Sequence, residues 1–266
     1  MTRGPGGACR RLAPIALAVV LVLAPHGAGA QDASAPGAAP GAALVAPDSI
    51  VPFERPNGAL LRPGTFVYQL TLRRPTQETS LGVRTVQVTD AASGGVPGWL
   101  IAESRTGSAV RTSDSLWVTR TELTPERWVA SVDRTLLGVS FTRDSAFGAV
   151  QSYRGRTSFS AAVPPGALIT GGMVERVIEL LPLREGYRAG ASLLLLDQGT
   201  PRAIEAEIVV DRVERTRVGA ADADCWVVAL RAGVLEQRLW VTREAPRVVR
   251  TEQATLGGVL VAVLVP

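Results

Sequence analysis

The sequence predicts a mainly β protein, an antiparallel meander forming an open half-barrel with one amphipathic helix on its concave face. Three observations predict it. Short segments of period-2 alternation recur along most of the chain. The joins between them are brief and carry turn chemistry, as at Ser93-Gly94-Gly95, Asp144-Ser145 and Arg154-Gly155-Arg156. One stretch alone, near Glu175, switches to helical spacing. Short joins demand antiparallel neighbours, because a parallel crossover takes about a dozen residues or more. The run of strands suits an open or nearly closed barrel better than a small sandwich.

The chain opens with Arg3, Arg10 and Arg11, an apolar run from Leu12 to Ala24, and the small-residue pattern Ala28-Gly29-Ala30. The run is shorter than the roughly 20 residues that span a bilayer as a helix. Residues 1–30 therefore read as a signal peptide cleaved after Ala30, which sends the protein to the periplasm or the medium. No cysteine follows the run where a lipoprotein would be acylated, since Cys9 lies ahead of it. Residues 31–58 read as a disordered tether. From Gln31 to Pro47 the chain holds seven Ala, three Pro and two Gly in seventeen residues, too little apolar area to offset the entropy of ordering. A single β half-barrel domain is expected over 59–266.

Within that domain Phe66, Tyr68, Leu70 and Leu72 alternate with Val67, Gln69, Thr71 and Arg73, a half-buried strand. Similar segments follow at Leu81–Asp90, Gly98–Ser104, Leu116–Thr121, Arg127–Asp133, Gly138–Arg143, Ala146–Arg154 and Thr157–Val163. Then Met173, Val174, Val177, Ile178, Leu180 and Leu181 form a stripe at helical spacing, with Glu175, Arg176 and Glu179 on the other face. Gly171-Gly172 open that helix, Glu175 suits the positive end of its dipole, and Pro182 stops it. Strands resume at Leu193–Leu196, Ala203–Val210, Cys225–Leu230, Glu236–Arg243, Val248–Glu252 and Gly258–Val265. Leu193–Leu196 and Val259–Val265 are apolar on both strand faces, so each is covered twice or turns one face to a lipid, an apolar ligand or a partner. Aromatic residues make up only 5% of the chain, too few for the girdles of a transmembrane barrel.

Composition removes whole classes of chemistry. All 28 basic residues are arginine, and one histidine, His26, and two cysteines, Cys9 and Cys225, are present. Cleavage after Ala30 removes His26, Cys9 and three of the arginines, leaving 25 basic against 24 acidic residues. Such a balance offers no basic face to nucleic acid. Without histidine there is no Ser-His-Asp arrangement and no histidine-ligated zinc. Without lysine there is no phosphate-loop lysine and no Schiff base. One remaining cysteine forms no internal disulfide. Cys225 alternates with Val227 and Ala229 and reads as a small buried hydrophobe. Glu205 and Glu207 read as the solvated face of a strand, Asp222 and Asp224 as turn residues. No catalytic residue, metal site or cofactor is expected.

From about Val174 onward the order of features resembles a family of exported bacterial proteins known only as a domain of unknown function. The matching points are the helix running into Leu181-Pro182-Leu183, Gly186-Tyr187, and a strand ending at Asp197. Cys225-Trp226-Val227-Val228, Leu239-Trp240-Val241 and the closing pair around Val248-Val249 and Gly257-Gly258-Val259-Leu260 complete it. That family in turn looks like the half-barrels of the lipoprotein-sorting (Lol-type) carriers. The resemblance covers about the last third of the chain. It implies a curved sheet wrapped around helices and an interior that holds acyl chains.

The function expected is therefore non-enzymatic: a cell-envelope protein binding an apolar ligand, such as a lipid or lipoprotein acyl chain. Met173, Val177, Leu181 and Trp240 are the expected ligand-binding wall. Two alternatives stay open. One is a protein–protein module of the envelope that offers its C-terminal strand as an edge to a partner. The other is a carboxylate-dependent cell-wall hydrolase, which would need two carboxylates of divergent pKa in a cleft. No span of the membrane is expected after cleavage.

Overall fold

A computed structural model describes residues 51–107, 111–197 and 200–266. The expected signal peptide and the tether as far as Ile50 lie outside these residues. In chain order the strands of the first half are β1 (Val51–Pro52), β2 (Gly64–Arg74), β3 (Gln77–Ser93), β4 (Val96–Thr106), β5 (Thr112–Thr119), β6 (Pro125–Val132), β7 (Thr135–Phe141), β8 (Ser145–Ser152) and β9 (Gly155–Ala162). A connecting segment carries β10 (Leu168–Ile169) and the helix α1 (Gly172–Glu179). The second half comprises β11 (Arg188–Asp197), β12 (Thr200–Val218), β13 (Ala221–Ala232), β14 (Leu235–Thr242), β15 (Val248–Thr255) and β16 (Gly258–Leu264).

The meander starts in the middle of its own sheet. From β2 it steps outward, strand by strand, to β9 at one edge. The chain then crosses the concave side through β10 and α1 to the opposite edge, and β11 to β16 step back to the middle. There β16 pairs antiparallel with β2, Ala262 opposite Leu70. Both two-residue strands, β1 and β10, pair in parallel with β11 at different registers. Edge strand β9 approaches β12 without a hydrogen-bonded ladder between them, so the sheet curls into an open half-barrel and does not close. This is the architecture the alternation predicts.

Curvature has local causes. Register shifts interrupt β2–β3 at Leu70/Thr71, β12–β13 at Val210/Arg212 and β14–β15 at Trp240/Val241. Each such irregularity bends and twists the strands that contain it. At Gly82 a positive φ of 104° brings the backbone so close to Thr106 that a Cβ would sit 2.0 Å from its carbonyl oxygen, a bend open only to glycine.

The main core lines the concave face. Tyr68, Leu70, Val86, Val88, Trp99 and Ile101 contribute from one half of the sheet, and Ile208, Val228, Leu230 and Leu239 from the other. The apolar stripe of α1 fills the space between. Cys225, Val227, Trp240 and Val249 form a second, smaller cluster.

Three expectations need correction. The domain begins before residue 59: Val51–Pro52 bridge to β11, and the buried Gly58 accepts a hydrogen bond from Trp99 Nε1 at 3.0 Å. The short 3-10 turn at Gly58–Leu60, capped by the Asn57 side chain, provides that acceptor. The C-terminal strand is no edge, because β16 is hydrogen-bonded on both sides, to β15 and β2. Finally, the charged side of the helix faces protein rather than water: Glu175 and Arg176 are each 1% exposed. A helix laid in a trough meets walls on more than one side, so polar residues off its apolar stripe are also covered.

Candidate functional site

What covers the charged side of α1 is a set of charged residues at core positions of the sheet. Inward-facing positions alternate along each strand. On β3 this parity runs Arg84, Val86, Val88; on β4, Trp99, Ile101, Glu103; on β5, Asp114, Leu116, Val118. All of these are buried apart from Asp114, which is half-buried. Three ionisable groups thus stand where the pattern asks for apolar ones, and α1 docks over them.

The geometry is a branched network centred on Arg84. Its Nη1 donates to Glu175 Oε1 at 2.5 Å and its Nη2 to Glu103 Oε2 at 2.7 Å. The half-buried Arg105 holds the other Glu103 oxygen, Nε to Oε1 at 3.1 Å. One turn along the helix, Arg176 Nη2 lies 3.0 Å from Glu179 Oε1 and donates to Tyr68 Oη at 3.0 Å. Tyr68 donates onward to the Val248 carbonyl at 3.1 Å, and the Val248 amide donates to Glu179 Oε1 at 2.6 Å. The Arg176 guanidinium also stacks 4.0 Å from the Phe66 ring. One side of an eight-residue helix is thereby tied to β2, β3, β4 and β15. Four polar atoms inside the network make no hydrogen bond: Arg84 Nε, Arg176 Nε, Arg176 Nη1 and Glu175 Oε2.

The helix start meets the protein's own acids. Gly171, at a positive φ of 98°, stands where a Cβ would be 3.3 Å from Glu103 Oε2 and 4.0 Å from Asp114 Oδ2. The positive end of the dipole is therefore faced by carboxylates from the sheet, leaving no role there for an outside anion.

Burial and charge drive the acids apart. Burial works to raise Glu103, but Arg84 and then Arg105 outweigh it and hold that carboxyl at about 2. Asp114, opposite Glu103 across β4 and β5, is pushed well above the usual carboxylate range by burial and then by the Glu103 charge. Burial lifts Glu179 to about 7 against the pull of Arg176 and the Val248 amide. The same effect raises the Tyr68 hydroxyl. Divergent carboxylates are what acid–base chemistry requires. Here, however, both oxygens of the ionised member are held by arginines, which fixes Glu103 as an ion-pair partner. The network acts as a latch on α1.

The expected site residues are not brought together as one wall. Met173, Val177 and Leu181 are buried in the main core, with the Met173 sulfur accepting from the Ile169 amide at 3.4 Å. Trp240 belongs to the second cluster, its indole donating to Glu214 Oε1 at 3.0 Å beneath the Arg250 guanidinium. Glu205 is exposed and Glu207 pairs with Arg188 at 3.0 Å, the solvated face that alternation predicts. Burial pushes the Cys225 thiol up, as befits a packed side chain. Leu193 and Leu194 are both buried in the main core, so that apolar run is covered on both faces. Among the described residues no group of three or more His, Cys, Asp or Glu is arranged to hold a metal ion, and no helix is long and apolar enough to cross a membrane.

Fold and site together define an open, mainly antiparallel β half-barrel whose concave face carries a latched helix. No protein-family model matches the chain. No curated protein matches it either. Among solved structures it is similar to a β-barrel-like protein of a domain of unknown function (DUF1849) from Brucella abortus, at 10% identity and a TM-score of 0.49, over 77% of this chain and 96% of that one.

Proposed function

We propose that the protein is an exported, non-enzymatic binding protein of the cell envelope, whose half-barrel takes an apolar ligand such as an acyl chain when α1 leaves the concave face. The observation that carries this reading is how α1 is held. The helix is about 12 Å long and sits in the crossover between the two sheet edges, outside the strand ladders. It covers an apolar face to which the polar network latches it on one side. The positive-φ Gly171 and the terminating Pro182 flank it, so it can move without breaking a strand pairing. The last third of the chain resembles a family of exported proteins of unknown function whose half-barrels look like those of the lipoprotein-sorting carriers, which favours the same class of ligand. The export signal in residues 1–30 supplies the location.

A reversible lock tests the reading. A Cβ on Gly172 would lie 3.1 Å from Val86 Cγ1, the position a sulfur at residue 86 could take, close enough for a disulfide to join the two. The Gly172→Cys/Val86→Cys protein is expected to take up a fluorescent fatty acyl probe when reduced and to lose at least about tenfold in affinity, about 1.4 kcal/mol, when oxidised. Equal uptake in both redox states would overturn the reading, because the ligand would then not need α1 to move.

A further inference from the structure

The outer face of the sheet carries a second feature that the latch does not use. The C-terminal apolar run turns Val263 and Val265 outward, 41% and 45% exposed. The long β12–β13 hairpin lies beside them and borders an open groove of about 440 Å³, within the size range of small-molecule sites, roughly 300–1,000 Å³. Its apolar side is Val263, Val265 and the Pro266 ring; its polar side is Thr216, Arg217 and Arg250, and no acidic side chain lines it.

Two polar atoms bordering this groove have no oxygen or nitrogen partner. The Thr216 hydroxyl, on a residue 8% exposed, has only the Cys225 thiol beside it. The Arg250 Nε is likewise buried and unpartnered, with its guanidinium stacked 4.6 Å from the Trp240 ring. Burying a polar atom without a strong partner is costly, so such atoms favour a partner brought from outside. Glu252 is shared by Arg250 and by Arg73 at 3.2 Å, and Arg217 reaches Asp222 only at 3.6 Å.

We infer that this groove binds a free single-chain carboxylate amphiphile, with its headgroup on Arg250, Arg217 and Thr216 and its chain along Val263, Val265 and Pro266. The pairing of two guanidinia with an acid-free lining selects an anion. The adjoining valines select a short alkyl chain over a bare ion. This site lies on the opposite side of the sheet from α1 and stands independently of the function proposed above.

The experiment is a titration with octanoate, read on the Arg250 Nε–H resonance by NMR. It uses the oxidised Gly172→Cys/Val86→Cys protein, so that the concave side is shut. Octanoate is expected to shift that resonance saturably, with a dissociation constant of about 1 mM or tighter. Octylamine, which has the same chain and the opposite charge, is expected to leave it unmoved. Thr216→Val keeps the shape and removes the hydroxyl, and is expected to weaken binding several-fold, up to about tenfold. Val263→Glu, at an exposed position, is expected to abolish it. An unmoved resonance, equal response to octanoate and octylamine, or indifference to both substitutions would overturn the site. So would binding to anionic vesicles in the absence of any response to octanoate, which would make the face a membrane contact instead.

Discussion

Replacing Arg84 by Met is expected to cost about 3–5 kcal/mol of stability, the largest single effect at the latch. Among the described residues Arg84 alone is bonded to both Glu103 and Glu175, at 2.7 and 2.5 Å, and all three side chains are almost wholly buried. Removing the cation leaves the buried Glu175 carboxyl with Arg176, 3.8 Å away, as its remaining countercharge. Desolvation is then no longer offset by attraction, and that imbalance sets the size of the loss. The double substitution Arg84→Met/Glu175→Leu removes both charges and is expected to recover most of the stability, since an apolar pair of similar volume packs where the ion pair stood. Urea unfolding of the three proteins provides the check. A loss under about 1 kcal/mol for Arg84→Met would mean that water reaches the network.

The second large effect is on pH. Glu179 is lifted from 4.5 to about 7, first by burial, with Arg176 and the Val248 amide opposing. Between those two values the native state keeps a proton that the unfolded chain has released. Stability from this group is therefore fully present below about pH 4.5 and is lost as pH rises to about 7, by about 3 kcal/mol in total. Asp114, also raised, slopes the same way. Glu103, held at about 2, adds stability above the ordinary carboxylate range that disappears only in strong acid. The protein is thus expected to unfold at lower urea concentration at pH 8 than at pH 5. Glu179→Gln is expected to reduce that difference by the share of Glu179, leaving the share of Asp114, and an unchanged pH dependence in that variant would show that Glu179 titrates normally. The direction suits the proposed function, because ionising Glu179 loosens the helix that covers the concave face.

Much of this fold was legible in the chain, for a physical reason. Alternation reports which side of a strand is buried, and short turns report that neighbours are antiparallel, so the meander and its single helix follow from local pattern. What local pattern lacks is the long-range pairing of β16 with β2, which turns the C-terminal strand from a presumed edge into the centre of the sheet. Trp240 shows another limit. Leu239, Trp240 and Val241 are all buried, so parity no longer assigns the tryptophan to a face, and it packs in the smaller cluster away from the helix.

The latch left a signal that periodicity arguments pass over. Arg84 shares parity with Val86 and Val88, Glu103 with Trp99 and Ile101, and Asp114 with Leu116 and Val118. A charge at a core-parity position must find a partner or remain exposed. Three such charges on consecutive strands, together with Glu175 and Arg176 on the helix, outline the network before any coordinates. The outer groove has no comparable signature, because it arises where β12 and β13 lie beside β16.

The most direct test is native mass spectrometry of the protein expressed from its full sequence and purified without detergent. A bound mass of acyl-chain size that denaturation releases is expected from the wild type, and none from the oxidised Gly172→Cys/Val86→Cys protein reloaded with an uncharged acyl lipid, which the outer groove is not built to hold. A chain that emerges empty, and stays empty after incubation with acyl lipids, would contradict it.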